Sequence, residues 1–197
     1  MNSQRNRIVP VVLALALLTS GCGYNRIQSL DEATSQAKQQ ISVQLQRRAD
    51  LIPNLVEVVK GFAAQESQVF ANVSDARARL AGAAGSGDLS QMAAASQQMN
   101  GALGRLIAIS ENYPQLKSNE NFIRLQDELA GTENRVAVAR TDYNTTVSDY
   151  NTYIRKFPQV LTAKVMGMKA REYFEVTTPG AAEAPKVEFA PPAGKQP

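Results

Sequence analysis

From Phe122 to Phe157 the apolar and small residues return in steps of three and four: Phe122, Leu125, Leu129, Thr132, Val136, Ala139, Tyr143, Val147, Tyr150, Ile154 and Phe157. Ten steps cover thirty-five residues, an average of 3.5, which is the repeat of helices that pack side by side with a left-handed twist. A strand alternates with period two and does not carry this pattern. The chain is therefore committed to at least one long helix that needs neighbours, and Pro158 closes it.

The preceding sequence supplies those neighbours. Between Leu30 and Leu80 a second stripe runs through Leu30, Thr34, Ala37, Ile41, Leu45, Arg48, Ile52, Leu55, Val59, Phe62, Glu66, Val69, Val73, Ala76 and Leu80, again at a helical period. Pro53 sits inside it, where its ring meets the carbonyl of Ala49 and removes one donor, so a kink near Leu51 to Asn54 is expected. The stripe keeps phase across the proline, which favours a kink over a break. Residues 81–90 contain Gly82, Gly85 and Gly87 and read as a loop. Asp88 or Ser90 then offers an N-cap oxygen for a helix through Met92, Met99, Leu103, Leu106, Ile107 and Ile109, stopped by Tyr113-Pro114. After Pro158, the positions Val160, Leu161, Val165, Met166, Met168, Tyr173 and Phe174 suggest a shorter fourth helix, weakened by Gly167. Residues 177–197 hold five of the nine prolines and few large apolar groups, a composition expected to stay disordered. The reading is an all-α, up-and-down antiparallel bundle of about four very long helices over residues 30–176.

With 44% hydrophobic and 20% charged residues the chain suits one domain with a real core. It has no His, no Trp and one Cys. Histidine triads, zinc sites built on His and Cys-His pairs are thereby excluded, as is an internal disulfide. A di-iron bundle needs Glu-x-x-His pairs, so Glu111, Glu128 and Glu133 do not make one. An acid-only hydrolase is the residual catalytic reading.

Arg5 and Arg7 precede the apolar run Ile8 to Leu18, followed by Thr19, Ser20, Gly21 and Cys22. The run falls short of the ~20 apolar residues of a membrane span and has the layout of an export signal. The small residues before the lone cysteine resemble the lipobox of bacterial lipoproteins, in which the thiol receives diacylglycerol and the chain is cut just before it. On this reading residues 1–21 are a signal peptide, Cys22 is the lipid attachment site, and 22–29 is a lipidated tether. Two acyl chains meet the requirement for stable anchoring. The mature chain then has 19 basic and 18 acidic side chains, which is no nucleic-acid footprint. Thr19 stands where the lipobox prefers Leu. Gly23, rather than Asp, after the cysteine resembles an outer-membrane address facing the periplasm, where the organism has an outer membrane.

Several blocks in order carry a wider resemblance: Val43 to Ala63, with Arg47-Arg48-Ala49-Asp50-Leu51-Ile52-Pro53-Asn54 at its centre; Glu111 to Asn119; Leu125 to Arg135; Ala139-Arg140; and the Tyr-Asn pairs leading to Phe157-Pro158. Over residues 35–176 the chain resembles the LemA family of bacterial envelope proteins. The resemblance implies an up-and-down bundle of very long helices tethered to a membrane at its N-terminus. Two departures stand out. The family often has a His where this chain has Gln65 before Glu66, and often a transmembrane anchor where this chain has a lipobox.

Two groups are candidate interaction or structural motifs. Arg47, Arg48, Asp50 and Asn54 surround Pro53, either as an exposed patch for an anionic headgroup or partner, or with Arg48 satisfying carbonyls freed at the proline or pairing with a seam acid such as Glu66. Tyr143, Asn144, Tyr150 and Asn151 lie in an Asp-Tyr-Asn element repeated seven residues apart. They are either a polar strip for a partner, or seam tyrosines whose hydroxyls find carbonyls, with asparagines that fix register. Met92, Met99 and Ala93 to Ala95 offer an adaptable face or a close helix approach. The functional expectation is a non-enzymatic scaffold or accessory protein, lipid-anchored in the cell envelope outside the cytoplasm, with an envelope protein partner, no nucleic acid, no metal and no cofactor beyond the covalent lipid. The rival is direct action on the membrane surface without a fixed protein partner, against which the near-neutral mature charge counts.

Overall fold

The computed structural model describes the backbone of residues 3–175 and the side chains of residues 23–175. Among them every regular element is helical: α1 (Ser3–Lys60), α2 (Ser67–Ser86), α3 (Leu89–Ile109), α4 (Pro114–Lys117), α5 (Glu120–Arg155) and α6 (Gln159–Val165), with a 3-10 turn at Ser110–Asn112. The chain runs up, down, up and down. Arg77 of α2 reaches Ala49 of α1, and Arg79 reaches Gln98 of α3; on α5, Glu133 faces Arg48 and Tyr150 packs against Ile27 and Leu30. The expected tail, 177–197, lies outside the described residues.

The stripe of α5 is its buried face. Ten of its eleven positions, Phe122 through Ile154, are buried, and Phe157 alone is exposed because the helix has ended at Arg155. The α1 stripe behaves the same way from Leu30 to Val59, apart from a half-buried Ala37. Pro53 does not break α1, which continues to Lys60 in keeping with the unbroken phase of the stripe. The Ala49 carbonyl that the proline deprives of its donor accepts instead from Arg77 Nε at 2.9 Å, a charge-assisted bond that offsets the lost helical one.

Four expectations need correction. The stripe does not run on through Phe62 and Glu66: the chain reverses at 61–66, where those two residues leave the core and Ala63 takes the buried place. The glycine-rich stretch 81–90 is mostly helix: α2 runs to Ser86, Gly87 caps it at φ 70, and Asp88 N-caps α3 by accepting from Gln91 N at 2.8 Å. Of the three glycines in this stretch, Gly87 alone takes the left-handed conformation that glycine adopts without a Cβ clash. Residues 23–29, expected as a tether, belong to α1, and Ile27 is fully buried with Leu30, Tyr150, Ile154 and Ala163.

The fourth correction shapes the molecule. The expected fourth helix is only α6, and residues 169–175 form a strap without regular structure that returns along α5. Gly87 lies level with Lys38, so toward the N-terminal side of that level α2 and α3 no longer cover the α1–α5 seam. There α6 and the strap take their place: Ala163 and Met168 join Ile27, Leu30, Tyr150 and Ile154, and Phe174 joins the main core.

Candidate functional site

The Tyr-Asn pairs are what hold the strap. Asn151 donates its side-chain amide to the Arg171 carbonyl at 2.9 Å and accepts from the Arg171 amide at 2.8 Å. One heptad earlier, Asn144 donates to the Phe174 carbonyl at 3.1 Å and accepts from the Phe174 amide at 2.8 Å. Each asparagine thus stands in for one residue of a neighbouring strand. The spacing matches: seven helical residues rise about 10.5 Å, and three residues of extended chain span about 10 Å. The preceding repeat position is Ala137, which offers no such amide, so the pattern stops at Asn144.

Tyr143 completes the clamp by donating its hydroxyl to the Glu172 carbonyl at 2.8 Å. Burial raises its pKa, with Arg171 opposing and Glu172 adding to the shift. Tyr150 is raised by burial and then by Asp31, with Arg171 opposing. Arg171 itself donates from Nε and Nη2 to Asp31 Oδ1 at 2.9 and 2.7 Å and lies over the Tyr150 ring. The strap therefore bridges α5 to α1.

The proline-centred group divides. Arg48 is 5% exposed and forms an ion pair with Glu133 across the α1–α5 seam. Burial pulls its pKa down from the ordinary guanidinium value, and Glu133 opposes this. Arg140, a further residue of the cluster that sequence reasoning did not single out, stacks its guanidinium 4.7 Å from the centroid of the Phe174 ring; its pKa is lowered by burial, raised by Glu133 and lowered by Arg48. Glu133 thus pairs with Arg48 and acts on Arg140 only through its charge. Of the two roles expected for Arg48, pairing with a seam acid is the one observed, but the acid is Glu133 and not Glu66, which lies in the α1–α2 turn, while Arg77 takes the freed carbonyl. Arg47, Asp50 and Asn54 are exposed, with Asp50 accepting from Gln46 and Arg47 beside Leu51, Arg124 and Asp127.

Met92, Met99 and Ala95 are buried, whereas Ala93 and Ala94 line an open hollow with Leu89, Glu172 and Tyr173 of the strap. Glu111 and Glu128 are exposed, whereas Glu133 is half-buried. Among the described residues no group of three or more His, Cys, Asp or Glu is disposed to hold a metal, and no helix is long and apolar enough to cross a membrane. The backbone at Cys22 is within α1, while its side chain lies outside the described ones.

A family model described as "LemA family" matches residues 37–189. The chain is 32% identical over 175 residues to "Magnetosome protein MamQ 1" and, equally, to "Magnetosome protein MamQ 2" of Paramagnetospirillum magneticum. It is 29% identical over 176 residues to "Magnetosome protein MamQ" of Magnetospirillum gryphiswaldense. In each case the match takes in 77% of this chain and 64% of the relative, so the chain spans a little under two thirds of these relatives' length.

Proposed function

The chain belongs to the LemA family, and on that premise we propose that it is a lipid-anchored, non-enzymatic scaffold or accessory protein of the cell envelope, held outside the cytoplasm by a diacylglyceryl group on Cys22. The observation that carries this reading is how the conspicuous polar residues are used. Arg48, Tyr143, Asn144 and Asn151 all engage other parts of the same chain, so the groups most suggestive of chemistry serve stiffness. After removal of residues 1–21 the rest of α1, from Cys22 to Lys60, links the anchor to the far end of the bundle as one continuous helix. That continuity supports a stiff arm that presents its distal surface to a partner at fixed distance from the bilayer. The name of the relatives, magnetosome proteins, supports a part in a larger assembly.

The test is affinity capture of the tagged full chain from crosslinked, mildly solubilised envelopes, with Cys22→Ser as the control. A defined protein partner that is lost in the control supports the scaffold. Lipid alone, with no reproducible protein, replaces the scaffold by direct action on the membrane surface.

A further inference from the structure

We propose that the α6 end of the bundle is a docking surface for an anionic phospholipid bilayer, separate from the covalent anchor; it deepens the reading of Cys22 as a tether and rests on it. Four large apolar side chains crowd this end in the open: Phe157 at 81% exposed, Leu161 at 57%, Val165 at 84% and Met166 at 50%. Leu161 and Val165 are four residues apart and share one helical face, while Ala163 faces inward to the core. Exposed apolar side chains gathered on one edge of a well-packed bundle mark a surface made for contact.

Charge identifies the occupant. From Tyr150 to Arg171 the sequence has five basic residues and no acidic one, and residues 22–30, the start of the cleaved chain, contain Arg26 and no acid. Arg171 is neutralised by Asp31, but Arg26, Arg155, Lys156, Lys164 and Lys169 are exposed. The other end of the bundle is mixed, with Glu57, Lys60, Glu66, Glu111, Lys117 and Glu120. With the bordering carboxylates of Glu32, Asp149 and Glu172 counted, the five exposed cations at this pole still outnumber the three exposed acids. Apolar tips with long lysines and arginines around them fit the headgroup boundary, where the tips enter the acyl region and the cations reach the phosphates. Position agrees with chemistry: a Cβ on Gly23 would lie 3.5 Å from Gln159 Cγ at the start of α6. The residue before Gly23 is Cys22, so its lipid would enter the bilayer beside this patch. Each exposed cation near an anionic surface strengthens binding by roughly fivefold.

The absence of tryptophan from the chain allows a single reporter. Val165→Trp and, as a mid-bundle control, Val43→Trp are made in the full-length protein purified from membranes. Each is mixed with vesicles of phosphatidylglycerol and phosphatidylethanolamine in equal parts, or of phosphatidylcholine alone, with and without Cys22→Ser. Docking predicts that the indole emission of the Val165→Trp protein moves to shorter wavelength and is quenched by brominated acyl chains in the anionic vesicles. The shift shrinks in phosphatidylcholine and with Lys156→Glu/Lys164→Glu, while the Val43→Trp protein keeps its aqueous emission. A Val165→Trp spectrum that stays aqueous while the protein floats with vesicles overturns the docking surface and leaves the tether standing. Equal flotation with and without Cys22→Ser, with the Val165→Trp emission shifted in both, supports docking and refutes the tether. No flotation in either form overturns both, and a shift that needs an envelope protein extract rather than lipid overturns the bilayer as occupant.

Discussion

Asn151→Ala tests the clamp where its contribution is most concentrated. Asn151 is 5% exposed and satisfies both the N–H and the C=O of Arg171. Deleting the amide removes two hydrogen bonds near the surface, each worth about 1 kcal/mol net, so the strap should open about 2 kcal/mol more easily. That corresponds to a roughly 30-fold larger population of detached strap. Opening exposes Phe174, frees Arg140 from its stack and breaks the Arg171 pair with Asp31, so the effect should spread along residues 169–175 without melting α5. Hydrogen exchange of the Arg171 and Phe174 amides reads this directly: both should lose protection in Asn151→Ala, while the amides of Val136 and Leu129 in the middle of α5 stay slow. Asn151→Asp is a sharper variant, because a carboxylate still accepts from the Arg171 N–H but has no donor for its carbonyl. Unchanged protection of Arg171 and Phe174 in the alanine variant would refute the clamp, as would loss of protection along all of α5.

Glu133→Gln removes the carboxylate that pairs with the buried Arg48 guanidinium and should lower bundle stability by about 2 kcal/mol, whereas Arg48→Met/Glu133→Leu should recover most of it; denaturant midpoints of the single and double variants check both. Arg77→Ala leaves the Ala49 carbonyl beside Pro53 without its donor and should cost about 1 kcal/mol, visible as faster amide exchange confined to the α1 turn around Pro53. Gly87→Ala places a Cβ at φ 70 and should cost about 1 kcal/mol in thermal unfolding. Because burial raises the pKa of Tyr143 and Tyr150, their contribution is complete below the unfolded tyrosine value of about 10 and falls away as pH climbs through the raised folded values. Alkaline titration followed by phenolate absorbance should show two late-titrating tyrosines and strap release above that pH, and Tyr143→Phe should remove one of them.

The parts of the fold that were legible in the sequence are those set by local repetition. The α5 stripe names its buried face through Ile154 because a helix samples each position at a fixed angle, and every step of the pattern is answered by a packed neighbour. The turn at 61–66 was hidden for the same reason: a reversal whose length matches the helical repeat preserves the spacing between Val59 and Val69 while pointing Phe62 outward. Its one local signal is Gly61, directly after the last residue of α1. Pro53 was legible as a defect that the helix survives, but the repair was not, since the donor that makes it, Arg77, comes from another helix. The clamp announced itself only as Asp-Tyr-Asn repeated at seven residues. What the asparagines hold is twenty and thirty residues away in the chain, a distance that periodicity does not encode. The basic pole escaped for a different reason: summing charge over residues 22–197 hides a local excess of exposed cations near α6.

The central claim is that this bundle stands on a membrane by the end that holds Cys22, and intact-mass analysis of the protein purified from its own membranes tests it most directly. The account predicts a chain that begins at Cys22, lacks residues 1–21 and is heavier than the mature polypeptide by a diacylglyceryl group, with the added mass abolished by Cys22→Ser. A chain that retains residues 1–21 with an unmodified Cys22 would contradict it.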